Sequence, residues 1–248
     1  MDVKYIILGL LQGITEFLPV SSSGHLVIVQ RILGLSDGEL AISVILHLGT
    51  ALALVVFFFK DLLGLFKKPR VIFYLAVTTV ITVVLGFAGK DFFESLFSSV
   101  ALVAVALMIT GIILTAAGKF MAGRRENASL RDAAILGLTQ AIAIVPGISR
   151  SGITISTLLF LGIEKEEAFR FTFLAAIPVI FGAALLEARG INFALSNNTA
   201  GLIMGFGCSF LAGLVSLRFL KLILKKARLH YFGYYCIMIA IAALLFVR

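Results

Sequence analysis

EFLPVSSSGH, residues 16–25, decides the fold of this chain, because it is a polar, proline-bearing break set inside strongly apolar sequence. A second break of the same kind, PGISRSG at residues 146–152, lies in the other half. The apolar arms flanking them, residues 5–15 with 26–35 and 133–145 with 152–163, are each about half of the roughly 20 residues a helix needs to cross a bilayer. Proline removes a helix donor and disfavours a helical residue before it. Short helix, break, short helix therefore predicts a re-entrant hairpin that enters and leaves on one membrane face. Irregular backbone at that depth is tolerated only where protein or a wet cavity surrounds it, so both breaks are expected to line a cavity.

Outward from the breaks, hydrophobic residues make up 60% of the 248 and charged residues only 14%. An ordinary soluble domain carries roughly a quarter charged residues. The mean hydropathy is +1.11. Segments 71–89, 97–118, 199–217 and 231–247 contain no charge, while 40–59 has only His47 and 168–186 only Arg170. These six segments predict six spanning helices. The expected fold class is an all-α integral membrane protein, six transmembrane helices plus two re-entrant helical hairpins. Residues 1–248 form a single membrane domain.

The net charge of +8 does not point to nucleic acid, since the charges sit at the ends of apolar segments, where lipid headgroups and topology explain them. With the first hairpin entering from outside and the second from inside, most of the 21 lysines and arginines fall on the inner face. Lys60–Arg70, Lys119–Arg131, Lys165, Arg170 and the run from Arg218 to Arg228 are inside. Lys4, Arg31, Lys90, Arg189 and Arg248 are outside, with both termini. Cys208 and Cys236 lie within expected helices, so no disulfide framework is indicated. The apolar run after MDVK carries Gln12 and Glu16 and lacks a small-residue cleavage site, so it reads as mature structure.

The two halves match each other. When Gly9 is laid on Gly137, Leu10, Gln12, Ser21, Ser23 and Gly24 fall on Leu138, Gln140, Ser149, Ser151 and Gly152, with Pro19 one residue out of step with Pro146. Three crossings per half make the second copy inverted. The expected organisation is an inverted-topology internal repeat: 1–120 holds hairpin 5–35 and three spans, and 129–248 holds hairpin 133–163 and three spans. Such repeats put their site near the midplane, where the breaks meet.

At each break a short helix starts, near Ser22–His25 and near Ser149–Thr154, presenting unpaired N–H groups and a positive dipole end to the cavity. Two such starts make an anion site, and Arg150 adds a planar cationic fork suited to phosphate oxygens. An arginine at this depth requires an anion or a carboxylate partner. A structural Arg150–Glu16 pair is the plainer reading. Glu16, at a helix C-terminus, attracts a hard cation such as Mg²⁺ or Ca²⁺, and Gln12 one turn earlier offers a carbonyl oxygen. His25 is a candidate acid or base. Ser21, Ser22 and Ser23 are candidate nucleophiles or phosphate ligands, though each serine alone reads first as a helix cap. Together they suggest phosphoryl chemistry on a membrane-borne substrate.

At these residues the chain resembles the undecaprenyl-diphosphate phosphatases of the bacitracin-resistance type (BacA, also called UppP). QGITE followed by FLPVSSSGH matches their (E/Q)xxxE element and downstream histidine, and PGISRSGIT matches their PGxSRSxxT element at every fixed position. Hydropathy, length and spacing agree along essentially the whole chain. The resemblance implies hydrolysis of undecaprenyl diphosphate to the monophosphate and inorganic phosphate, recycling the lipid carrier of cell-wall synthesis. It also implies a divalent cation and a site in the cell membrane open to the outer face. By position, Glu16 is then the metal-associated acid with Gln12 in the first motif place, and Ser22 and His25 are candidate nucleophile and partner. Arg150 is the diphosphate holder, with Ser149, Ser151 and Thr154 as lesser phosphate contacts. Many relatives have glutamate where Gln12 stands, so this site has one fewer carboxylate.

A polyprenyl-phosphate flippase or secondary transporter shares inverted repeats and broken helices, but has no need of His25 beside a serine cluster and a carboxylate. A structural scaffold leaves Glu16 and Arg150 unexplained. His47 reads as a packed histidine bonded to a neighbouring carbonyl rather than a cavity residue. The glycines at 49, 86, 89, 111, 182, 205 and 207 suggest close helix packing. Thr78, Thr79, Thr82 and Thr110 suggest hydrogen bonds within or between helices, and the run from Arg218 to His230 suggests an inner-face interfacial segment.

Overall fold

The structure, a computed structural model, describes residues 3–32, 40–96, 99–119, 123–188 and 199–246. Among these residues all regular structure is helical, apart from an isolated bridge between Arg125 and Ile163. Helices α1 (Val3–Phe17) and α2 (Ser22–Ile32) flank the first break, and α8 (Leu130–Ile142) and α9 (Arg150–Phe160) flank the second. Between and after them run α3 (Leu40–Phe57), α4 (Phe59–Leu65), α5 (Pro69–Ala88), α6 (Lys90–Leu96), α7 (Val100–Ala117), α10 (Lys165–Ala188), α11 (Thr199–Lys225) and α12 (His230–Phe246). The end of the expected arm 26–35, the start of segment 97–118, the end of 231–247, Arg189, Arg248 and both chain ends lie outside the described residues.

Among the described residues four helices, α5, α7, α10 and α11, are long and apolar enough to cross a membrane, or five where the bent pair α3 and α4 is counted as one span. At 17 residues, α12 is apolar but shorter. This is a multi-pass membrane protein by helix length and composition. The side-chain distribution agrees, because it inverts that of a soluble protein. Val80, Val84, Ile112, Ile203, Leu211, Val215 and Leu245 face outward, while Gln12, Glu16, Thr82, Gln140, Ser149, Ser151 and Ser209 are buried.

Local chemistry fixes the ends. Pro69 opens α5, where its missing N–H costs nothing. Ser129 and Asp132 form a reciprocal capping box at the start of α8, and Asp132 also receives Arg125 Nη1 at 3.1 Å. Two expected spans are drawn differently. Segment 40–59 breaks at Phe58 and bends by 69° into α4. No proline or glycine marks that bend. Phe58 is instead buried against Phe57, Phe169 and Phe173, and this aromatic cluster holds the turn. Segment 199–217 continues as α11 to Lys225. It absorbs Arg218 and Lys221, which are good helix formers on an exposed face, so most of the expected interfacial run is helix end.

Helices meet where glycines let backbones approach. A Cβ at Gly233 would lie 2.7 Å from Gly111 O, and one at Gly111 would lie 2.7 Å from Gly233 O, so α7 and α12 cross at a reciprocal glycine contact. Gly233→Ala must part these helices. The expected loss is about 1–3 kcal/mol, read as a lower unfolding temperature in detergent. An unchanged transition would show that the crossing is not tight.

Candidate active site

The two breaks pack against each other. A Cβ at Gly24 would sit 3.1 Å from Gly147 Cα, and one at Gly152 would sit 3.4 Å from Pro19 Cβ. Gly147 has φ +97°, and its backbone abuts α7, so the second break requires glycine there. Thr110 of α7 pins this break from both sides: its hydroxyl donates to Gly147 O at 2.9 Å and accepts from Ser149 N at 3.0 Å. Cys236 of α12 approaches Pro19 O of the first break at 3.6 Å.

The packed breaks converge on one carboxylate. Glu16, at the C-terminal end of α1, has a side chain only 4% exposed. Its Oε1 faces Arg150 Nη1, the first residue of α9, at 3.4 Å. Its Oε2 accepts from Ser22 Oγ at 2.6 Å and from Gln12 Nε2 at 3.1 Å. In the self-match of the halves Arg150 stands where Ser22 stands, so the two equivalent positions donate to the two oxygens of one carboxylate. Ile144 and Ile153 occupy the places matching Glu16 and His25, so the second half supplies the cation while the acid and imidazole come from the first. Glu16, Arg150, Phe17, Ser151, Thr172 and Phe173 line a cleft continuing along α10 past Ala176 to Ile180.

Gln12, Glu16, Ser22 and Arg150 are thus brought together, and the other serines divide by role. Ser21 takes φ +68°, and its Oγ accepts from Gly24 N at 3.3 Å, a cap on α2. Ser149 caps α9 by accepting from Gly152 N at 3.1 Å. Ser23 Oγ lies 3.3 Å from Ser21 Oγ. Ser151 Oγ donates to Leu18 O at 3.3 Å, tying α9 to the first break. Thr154 donates to Arg150 O at 2.6 Å, back along its own helix. The hydroxyl of Ser22 therefore pairs with Glu16, while His25 is engaged elsewhere: its Nδ1 is 2.8 Å from Ser21 O and its Nε2 is 2.9 Å from Tyr235 Oη.

Sequence reasoning passed over Tyr235 and read His47 as packing. Tyr235 of α12 holds His25 and carries no signal beyond its place in an apolar helix. His47 of α3 makes the expected bond to a neighbouring carbonyl, Nδ1 to Ser43 O at 2.8 Å, but its Nε2 also faces Glu16 Oε2 at 3.9 Å.

For a divalent cation, the donor chemistry fits in part. No cluster of three His, Cys, Asp or Glu side chains occurs among the described residues. Glu16 supplies a carboxylate, however, and Gln12 Oε1 is buried with no hydrogen-bond partner. One carboxylate and an open carbonyl suit a hard ion that takes its remaining ligands from phosphate oxygens and water.

A multi-pass membrane protein whose broken helices bury a carboxylate between a guanidinium and a serine hydroxyl has the parts of a lipid-phosphate site. Comparison with known proteins is consistent with this: the Bacitracin resistance protein BacA profile matches residues 5–242. The chain belongs to that family. It is 42% identical to an undecaprenyl-diphosphatase of Carboxydothermus hydrogenoformans over 93% of this chain and 91% of that protein. It is 40% identical to one of Korarchaeum cryptofilum over 96% and 97%, and 40% identical to one of Methanococcus maripaludis over 98% and 100%.

Proposed function

We propose that this chain hydrolyses undecaprenyl diphosphate to the monophosphate and inorganic phosphate, recycling the lipid carrier for cell-wall synthesis and conferring bacitracin resistance. The observation that carries the mechanism is the short Ser22–Glu16 hydrogen bond with Arg150 on the other carboxylate oxygen. A hydroxyl within 2.6 Å of a carboxylate is a nucleophile beside its base. The diphosphate enters with its terminal phosphoryl oxygens toward Arg150 and the N-termini of α2 and α9, whose N–H groups and dipoles favour anions. Ser22 Oγ attacks the terminal phosphorus and passes its proton to Glu16. The bond to the bridging oxygen breaks, and the prenyl monophosphate leaves. Glu16 gives its proton to the departing monophosphate and is a carboxylate again. Water then attacks the phosphoryl group on Ser22, its proton passing to Glu16 and on to Ser22 Oγ as phosphate leaves. A divalent cation, Mg²⁺ or Ca²⁺, bound at Glu16 and Gln12 would neutralise diphosphate charge. Ser21, Ser23, Ser149, Ser151 and Thr154 line or brace the phosphate site, and His25, held by Tyr235, fixes the start of α2.

The architecture that fits this role has six spans, α3, α5, α7, α10, α11 and α12, with α1–α2 and α8–α9 as re-entrant hairpins. At 17 residues α12 extends about 25 Å, enough for a slightly thinned bilayer. The repeat assignment, 1–120 and 129–248, gains support from exchanged packing: Gly9 of α1 abuts Gly205 of α11, while Gly137 of α8 abuts Thr78 and Ile81 of α5. The inner-face bias of basic residues favours a cell-membrane protein with the site open to the outer face and both termini outside.

Purified protein is expected to release one phosphate per prenyl monophosphate from undecaprenyl diphosphate. A chelator should lower this more than tenfold, and Mg²⁺ or Ca²⁺ should restore it. Full turnover without divalent ions would remove the cation from the mechanism. Lipid translocation in proteoliposomes without phosphate release would instead favour the flippase reading.

A further inference from the structure

We infer that His47 is a nitrogen ligand of the cation site, completing a donor set with Glu16 and Gln12 that favours Mn²⁺ over Ca²⁺. The inference rests on the divalent-cation reading above and concerns which residues of this chain serve it. His47 Nδ1 lies 2.8 Å from Ser43 O. A carbonyl only accepts, so Nδ1 carries the proton and the lone pair of the neutral ring is on Nε2. That nitrogen is 3.9 Å from Glu16 Oε2, too far for a hydrogen bond.

The lone pair of Nε2 thus faces a carboxylate oxygen that already accepts from Ser22 and Gln12, and a cation between them would give that lone pair a partner. An ion bonded at about 2.1 Å to each partner separates them by about 3.0 Å when they are adjacent ligands and about 4.2 Å when opposite. The observed gap lies inside that range. A metal-bound histidine characteristically donates its other N–H to a carbonyl, which fixes ring and tautomer, and Ser43 O does this for His47. Gln12 Oε1, one turn before Glu16, is buried and has no partner. His47 is 26% exposed at its side chain, against 4% for Glu16, so the ion would be reached past the imidazole.

Charge favours the same assignment. Arg150 and Glu16 cancel, leaving little net attraction for a diphosphate. A divalent ion whose other donors, His47 and Gln12, are neutral makes the site cationic. An imidazole nitrogen also moves preference away from Ca²⁺, an oxygen-seeking ion, toward first-row metals, of which Mn²⁺ accepts mixed nitrogen and oxygen ligands. His25 has no such opening, since both its ring nitrogens are engaged.

The test is pulsed electron paramagnetic resonance of Mn²⁺ on the purified full chain, alone and with methylenediphosphonate. Bound Mn²⁺ should show ¹⁴N modulation from one imidazole in wild type and in His25→Gln. In His47→Gln, Mn²⁺ should still bind, about ten- to a hundredfold more weakly, with the nitrogen modulation gone. Retained binding in that variant also reports that it is folded. Mn²⁺ bound without nitrogen coupling, or coupling lost only in His25→Gln, would overturn the assignment of His47 while leaving the cation reading intact. No Mn²⁺ binding under either condition would overturn both.

Discussion

Arg150→Ala is expected to slow phosphate release from undecaprenyl diphosphate by about 10²–10³-fold, the usual cost of removing one preorganised donor to developing phosphoryl charge. Among the described residues the guanidinium is the one permanent cation on Glu16, and a lysine in its place would keep charge but lose the planar fork that grips two oxygens at once. Arg150→Lys should therefore fall between the two. The fold should survive, because Glu16 keeps its hydrogen bonds from Ser22 and Gln12. Steady-state kinetics beside thermal unfolding in the same detergent separate these effects. Unchanged kinetics would take Arg150 out of the site, whereas collapse of the unfolding transition would make it a structural ion pair.

The convergence of Glu16 with Arg150 could be read from sequence because two opposite charges buried in apolar surroundings have few ways to be tolerated other than each other. The breaks were equally legible: Pro19 and Pro146 interrupt arms too short to cross, and the residues around them repeat between the halves. The Phe58 bend was not. It arises from rings on α10 that meet Phe58 only after folding, and nothing local in FFF breaks a helix. His47 escaped for a related reason. Its carbonyl bond is local and could be anticipated, but its second face is determined by how α3 packs against α1, a contact between residues far apart in sequence. Ser22 was paired with His25 as candidate nucleophile and partner only through the positions of the family motif. The turn at Ser21, with its positive φ, instead accompanies a Ser22 hydroxyl directed to Glu16 and a His25 held by Tyr235. Nearness in sequence is a poor guide to which side chains share a site when the backbone changes direction between them.

Glu16→Gln should be the other severe lesion, lowering kcat by about 10²–10⁴-fold, the range for loss of a positioned general base. The substitution preserves shape, and an amide oxygen can still accept from Ser22, but it cannot take up the proton Ser22 gives up. It also removes the negative charge opposite Arg150. Substrate binding should therefore weaken far less than turnover, because the arginine, freed of its partner, remains available to phosphate oxygens. The decisive comparison is with Ser22→Ala. If Ser22 and Glu16 act as one nucleophile–base unit, each single variant removes nearly everything the unit contributes, and the double variant is scarcely slower than either alone. If Glu16 serves only the cation and Ser22 only binds phosphate, the losses multiply. Measuring kcat for the four proteins at saturating undecaprenyl diphosphate decides between them, and multiplicative losses would break the Ser22–Glu16 pair as the centre of the reaction.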